Sequence, residues 1–251
     1  MTVYFIGAGP GAADLITVRG QRLLQRCPVC LYAGSIMPTD LLALCPPDAR
    51  LVDTGPLDLE QIIAEITAAH VAGHDVARLH SGDPSLYSAV AEQSRRLEEL
   101  GINYEIVPGV PAYAAAAAAL GRELTVPGVA QTVTLTRVAT LSTAMPAGEG
   151  LGAQAAAGGT LVIHLAAHRI DAVVEELLTV GRAVDTPVAV VAFASWPQQV
   201  VLRGTLADIA GQMHDAEITR TAVIIVGNVL AAEGFPDSYL YSSGRTRRDR
   251  H

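Results

Sequence analysis

Val3-Tyr-Phe-Ile-Gly-Ala-Gly-Pro-Gly-Ala-Ala-Asp-Leu-Ile-Thr-Val-Arg-Gly20 stands at the start of the chain, and its reading decides the fold. Val3 to Ile6 form an apolar run short enough for a buried strand, and the glycines that follow allow a sharp turn. Asp14 is then expected to cap a helix over Thr17 to Gln25. Strand, glycine loop and helix in that order predict a small-molecule site at the carboxyl end of a parallel sheet.

A dinucleotide is the first ligand to weigh, because Gly7-x-Gly9-x-x-Ala12 satisfies the loose form of the dinucleotide-binding fingerprint. Two observations oppose it. Pro10 removes a backbone N–H from the turn that has to cradle a pyrophosphate. The second apolar run, Val29 to Tyr32, is followed by Ala33-Gly34-Ser35, with no Asp or Glu to hold ribose hydroxyls.

The chain has 251 residues, half of them hydrophobic, which suffices for two modest domains or one large one. No strongly apolar run reaches about 18 residues, and no basic segment precedes an apolar one at the N-terminus. The expectation is a soluble cytoplasmic protein. Cys27, Cys30 and Cys45 are odd in number, against a disulfide framework; Cys27-Pro-Val-Cys30 sits at the start of a strand and reads as buried small hydrophobes, so no metal is expected. Net charge is −8, which speaks against nucleic-acid binding. There is no lysine: all 17 basic residues are arginine. That excludes a lysine-dependent phosphate loop, a Schiff base or a lysine general base.

The first half alternates strands and helices. Strands are expected at Val29–Tyr32, Leu51–Val52, Asp75–Leu79 and Tyr104–Val107, and helices at Thr39–Cys45, Leu59–Ala72, Ser85–Leu100 and from Ala112 to Leu120. This is a mostly parallel α/β domain, because each strand is followed by a crossover. Gly121 to Ala130 shows neither period and reads as a linker, giving domains at 1–121 and 122–240 with a flexible tail over 241–251. In the second domain strands are expected at Thr132–Thr136, Leu161–Leu165, Val188–Phe193, Val200–Arg203 and Ala222–Val226. Helices fall at Ile170–Val180 and Leu206–Met213, and the glycine-rich stretch Ala144–Gly159 reads as a loop. Two strands flank Ser195-Trp196-Pro197-Gln198 with no helix between them, so the second sheet is mixed.

Three loops, Gly7–Ala12, Ser81–Leu86 and Pro108–Ala112, each follow a strand of the first domain. All are rich in Gly and Pro, so backbone rather than side chains would meet a ligand. No catalytic triad or nucleophile elbow is legible. His80, beside Ser81-Gly82-Asp83, is a candidate general base, equally readable as a hydrogen-bonded strand-end histidine. His164 alternates with apolar neighbours and reads as a core residue, whereas His70 and His74 suit a helix C-terminus.

These residues resemble the tetrapyrrole methylase family, the two-domain S-adenosyl-L-methionine-dependent enzymes of sirohaem and cobalamin synthesis. The resemblance is carried by Val-Tyr-Phe-Ile-Gly-Ala-Gly-Pro-Gly at 3–11, Arg-Leu-His-Ser-Gly-Asp-Pro at 78–84 and Glu-Ile-Val-Pro-Gly-Val-Pro-Ala at 105–112. Gly-Thr-Leu-Val-Ile-His-Leu at 159–165 and Ala-Val-Ile-Ile-Val-Gly-Asn-Val at 222–229 continue it in order. Within the family, Tyr32-Ala33-Gly34-Ser35 and Gly82-Asp83-Pro84-Ser85-Leu86-Tyr87 resemble the branch that methylates C-11 of precorrin-4 or cobalt-precorrin-4.

The resemblance implies two α/β domains with the cofactor between them, and a homodimer. It implies contacts to S-adenosyl-L-methionine from Pro10, Ser81, Gly82, Asp83, Leu86, Pro111, Ala112, Leu165 and Ala194. Three positions depart from the family: Ser81 replaces a common Gly, Pro111 a Ser or Thr, and Leu165 a Met. Pro111 offers no hydroxyl and no N–H, so only packing or a carbonyl contact carries over there. Methyl transfer from a sulfonium is an in-line displacement in which alignment supplies much of the rate; Asp83 or His80 could take a ring proton.

The implied substrate, an anionic tetrapyrrole, needs cations on an acidic protein. Arg137 leads, with Arg78 and Arg122 behind; ordinary surface solvation, or pairing with Glu123 or Asp75, is the alternative. Rival readings are a methylase of the same family acting on another precursor such as precorrin-2, an NAD(P)-dependent oxidoreductase, and a non-catalytic nucleotide-binding regulator. Nucleic-acid and membrane partners are not expected.

Overall fold

The computed structural model describes residues 1–139 and 143–238; the tail expected over 241–251 lies outside them. The chain divides into two compact units, 1–115 with 194–197, and 116–193 with 198 onward.

The first unit holds a five-stranded sheet of β1 (Val3–Gly7), β2 (Val29–Tyr32), β3 (Arg50–Asp53), β4 (Val76–His80) and β5 (Tyr104–Val107). Its order is β3-β2-β4-β1-β5 and every pairing is parallel. β1 and β4 are buried along their whole length; β1 reads as a continuous apolar run for that reason, whereas β4 carries two buried polar residues, Arg78 and His80.

Alternate residues of β1 serve two cores. Val3 and Phe5 pack with Ile62, Ile63 and Ile66 of α3 (Leu59–Val71) and with Val90 and Leu97 of α4 (Val90–Glu99). Tyr4 and Ile6 pack on the other face with Leu23 and Leu24 of α1 (Val18–Leu24) and Leu41 of α2 (Thr39–Leu42). The division follows from handedness. α1 and α2 lead to strands on one side and α3 and α4 to strands on the other, so right-handed crossovers put the two pairs on opposite faces.

Helix starts are where local chemistry overrode the sequence pattern. Asp14 does not cap α1: Ala13–Leu15 form a 3-10 turn, Ile16 and Thr17 are extended, and the Thr17 hydroxyl accepts the Gly20 N–H at 3.1 Å. The next helix to differ begins at Val90 rather than Ser85. Asp83 captures the Ser85 N–H at 2.8 Å, and Tyr87 and Ala89 are left-handed, so residues 85–89 cannot propagate helical bonds. α3 starts with a reciprocal Asp58–Gln61 capping box.

The second unit holds β6 (Val133–Arg137), β7 (Thr160–His164), β8 (Pro187–Ala192), β9 (Val200–Thr205) and β10 (Ala222–Val226), ordered β6-β7-β10-β8-β9. β6 and β7 are parallel and the remaining pairs antiparallel. Leu161, Ile163, Val188, Val190 and Ile224 meet α6 (Leu151–Ala156), α7 (Ile170–Thr179) and α8 (Ile209–Asp215) through Leu151, Leu177, Ile209 and Met213. α6 lies in the stretch expected to be loop, because alanine and glycine give no apolar period to read. One further helix, α5 (Ala112–Leu120), follows β5.

Candidate functional site

β4, β1 and β5 are neighbours in the first sheet, so the three Gly/Pro loops leave its carboxyl edge side by side. The chain leaves β1 toward one side of the sheet and β4 toward the other, the arrangement that opens a ligand crevice in α/β sheets. The loops touch through backbone. Ala8 N–H donates to His80 O at 2.8 Å, and Gly9 and Gly82 exchange N–H to O bonds of 3.2 and 2.8 Å. A Cβ at Gly7 would stand 2.5 Å from Gly109 Cα and 2.8 Å from Gly82 O, and one at Gly109 would stand 2.7 Å from Gly7 Cα. Only glycine permits that approach.

Asp83 ties the edge together. Its Oδ2 accepts the Gly109 N–H at 2.7 Å, while Oδ1 accepts the N–H and hydroxyl of Ser85. Desolvation pushes this carboxyl up, but the hydrogen bonds from Ser85 and Gly109 outweigh it and hold the group below the usual carboxylate range. Both oxygens are committed to binding the β4 loop to the β5 loop, so Asp83 acts as an anionic clamp.

His80 ends β4, packs against Phe5 in a tilted contact with ring centroids 5.7 Å apart, and is 7% exposed. Burial, helped by the nearby Arg78 charge, pushes its imidazole down to about 3, and Nε2 has no hydrogen-bond partner. This ring is neutral at pH 7 and a poor proton acceptor. His80 and Asp83 both help to hold this edge of the sheet.

Pro10, Ser81, Gly82, Asp83, Leu86, Pro111, Ala112 and Ala194 all belong to the first unit. Pro10 and Ala194 are buried, Leu86 is half-buried and Ser81 is exposed. Pro111 uses its carbonyl to start α5, accepting from Ala114 N at 3.1 Å, which leaves packing as its contribution. Leu165 belongs to the second unit; it is 52% exposed, with a left-handed φ of 55°. Tyr87, Ala89, Phe193 and Ser195 are left-handed too. Such strain in non-glycine residues gathers where a loop is shaped for a ligand.

The arginines are placed as braces. Arg78 is 6% exposed; its Nε donates to Gln93 Oε1 and a terminal nitrogen to Thr54 Oγ1, both at 3.1 Å, and burial lowers its guanidinium to about 10. Gln93 in turn donates to Ala89 O at 2.9 Å, so this buried cation supports the strained segment before α4. Arg137 donates to the carbonyls of Val138, Thr143 and Ala144, and Arg122 to Ala232 O at 3.2 Å. Cys27 and Cys30 are buried, with the Cys27 thiol pushed up to about 12 mainly by desolvation.

Sequence reading missed Ser195 and Trp196, taken as a plain connection between β8 and β9. Ser195 Oγ accepts the Ala12 N–H at 3.0 Å, and Trp196 Nε1–H donates to Pro10 O at 3.0 Å. A lone tryptophan in a polar loop was the available signal.

A doubly wound parallel sheet whose carboxyl edge is lined by backbone and tied by a carboxylate is the class of fold that binds small molecules at that edge. Residues 2–210 match the family described as Tetrapyrrole (Corrin/Porphyrin) Methylases, and the chain belongs to that family. It is similar to the Precorrin-4 C(11)-methyltransferase of Mycobacterium tuberculosis, with 76% identity over 99% of both chains. Among solved structures it resembles a cobalt precorrin-4 methyltransferase at a TM-score of 0.89 and 39% identity, over 91% of this chain and 95% of that one. It also resembles the uroporphyrin-III C-methyltransferase of Thermus thermophilus complexed with S-adenosylhomocysteine. There the TM-score is 0.77 and the identity 30%, over 92% of this chain and 99% of the other.

Proposed function

We propose that this protein transfers a methyl group from S-adenosyl-L-methionine to C-11 of precorrin-4 in cobalamin biosynthesis. The observation that carries the reading is full-length 76% identity to a precorrin-4 C(11)-methyltransferase, against 39% to the cobalt-precorrin enzyme; this also favours the metal-free substrate.

The carboxyl edge of the first sheet suits the donor. The β4 loop carries the Asp83 carboxylate and the histidine before it is held neutral by burial, so a cationic sulfonium meets attraction and no opposing imidazolium. A Cβ added at Gly82 would stand 3.6 Å from Ala112 N and Pro111 Cα, so the β4 and β5 loops offer backbone and small groups, the kind of surface that suits an adenosine. In this reading Pro10, Ser81, Gly82, Asp83, Leu86, Pro111, Ala112 and Ala194 line the donor site, and Leu165 is assigned to the donor by the family pattern. The bound donor supplies an electrophilic methyl; the protein's part is to hold donor and acceptor in line. Arg137 and Arg122 remain candidates for the substrate's carboxylates, and Arg78 supports the loop from below. Three free cysteines suit the reducing cytoplasm, and a homodimer is part of the same reading, checked by light scattering.

The test is direct. Incubation with precorrin-4 and methyl-labelled S-adenosyl-L-methionine is expected to give a product one methyl heavier with the label at C-11 by NMR. S-adenosylhomocysteine at about 100 times its Kd is expected to stabilise the fold by about 2.7 kcal/mol, and NAD or NADP to leave it unchanged. A shift with the nicotinamides alone would overturn the reading.

A further inference from the structure

β8 and β9 are antiparallel neighbours, with Ala192 opposite Val200. Two residues suffice to join such strands, yet the connection runs from 193 to 199 and contains two left-handed residues, Phe193 and Ser195. Backbone of that kind persists only where its surroundings hold it. What holds it here is the first glycine loop. Ser195 Oγ takes the N–H of Ala12, Trp196 Nε1–H takes the carbonyl of Pro10, and the indole lies so close over Gly11 that a side chain there would run into it. Residues 194–197 accordingly pack as part of the first unit.

The loop needs such a fastening. Pro10 has no N–H to give, and the ladder to the β4 loop stops at the Gly9–Gly82 pair. Beyond it, the Ser195 and Trp196 contacts engage the polar backbone on both sides of Gly11. We infer that Ser195 and Trp196 are positioning residues: they fix Pro10–Ala12 in the shape that receives the methyl donor, so that donor binding does not have to order the loop. The inference rests on the donor-site reading given above.

The experiment is calorimetric titration of S-adenosylhomocysteine into the full-length protein, into Trp196→Phe and into Ser195→Ala, with the ligand-free thermal midpoint of each. Trp196→Phe keeps a ring over Gly11 and removes only the N–H. Both variants are expected to bind about tenfold more weakly, the loss of one such hydrogen bond, with ligand-free midpoints close to that of the unmodified protein. In turnover the KM for S-adenosyl-L-methionine is expected to rise with kcat little changed. If the unmodified protein binds and both variants bind equally well, the positioning role is overturned, even if their midpoints fall. If the unmodified protein does not bind at all, the donor-site reading itself fails.

Discussion

The two sheets have five strands each and are built to different ends. In the first, all strands run one way, so every loop that follows a strand leaves by one edge, and three of them meet backbone to backbone at Gly7, Gly82 and Gly109. In the second, antiparallel pairing of β10 with β7 and β8 sends loops to both edges. The contrast teaches that a parallel sheet gathers loops into a site, and that close packing of those loops leaves no freedom at their crossing points.

Several substitutions sharpen or break that contrast. Gly109→Ala has the largest expected effect: its Cβ meets backbone on two loops, and at about 3 kcal/mol or more of destabilisation it should abolish donor binding as well. Chemical denaturation and calorimetry together check this. Asp83→Ala comes next. It removes charge-assisted bonds to Gly109 and Ser85 and is expected to cost about 2 kcal/mol. Because the folded pKa of Asp83 is depressed, its contribution is present above the unfolded carboxylate value and lost as pH falls through the folded one; Asp83→Ala should lose less stability on acidification than the unmodified protein.

Histidines end a strand in each sheet, and both are depressed by burial, His80 to about 3 and His164 to about 4. Between these values and the unfolded value near 6.5 the unfolded chain binds more protons, so stability rises with pH across that window. Each histidine contributes a slope of about 1.4 kcal/mol per pH unit. His80→Phe is expected to remove one of the two slopes, read from unfolding free energy measured from pH 4.5 to 6; an unchanged slope would contradict the buried, neutral assignment. The smallest effect belongs to the second unit. Gly211 is an exposed interior residue of α8 with open space where a Cβ would go, and Gly211→Ala should stabilise by about 0.5–1 kcal/mol.

Much of this architecture was legible in short runs rich in apolar and β-branched residues: Val29–Tyr32, Tyr104–Val107 and Ala222–Val226 were read with the bounds the structure shows. The three site loops were legible too, as Gly/Pro clusters after strands. What was hidden depended on spatial order. Asp83 and Gly109 meet only because β4, β1 and β5 are adjacent, and no local pattern states that. Ser195 and Trp196 were hidden for the same reason, since their partners lie far back in the chain. The start of α4 was misread because its outer face is periodic enough to suggest a longer helix, while the Asp83–Ser85 bonds that forbid it begin outside the periodic stretch. The arginines were legible as cations but not as braces, because their acceptors are backbone carbonyls or neutral side chains.

The meeting of Gly7, Gly82 and Gly109 has a genetic consequence. Any single-nucleotide missense change in a glycine codon installs a residue with a Cβ, so these positions have no conservative replacement. At Gly7 and Gly109 the new atom strikes backbone, and at Gly82, with a φ of 68°, it faces a strained conformation instead. In a library of random variants selected for activity, the codons of Gly7 and Gly109 should tolerate silent changes and nothing else, and that of Gly82 at most the residues that accept a left-handed backbone. Their neighbours Ala8 and Ser81, which already carry a Cβ, should accept small substitutions.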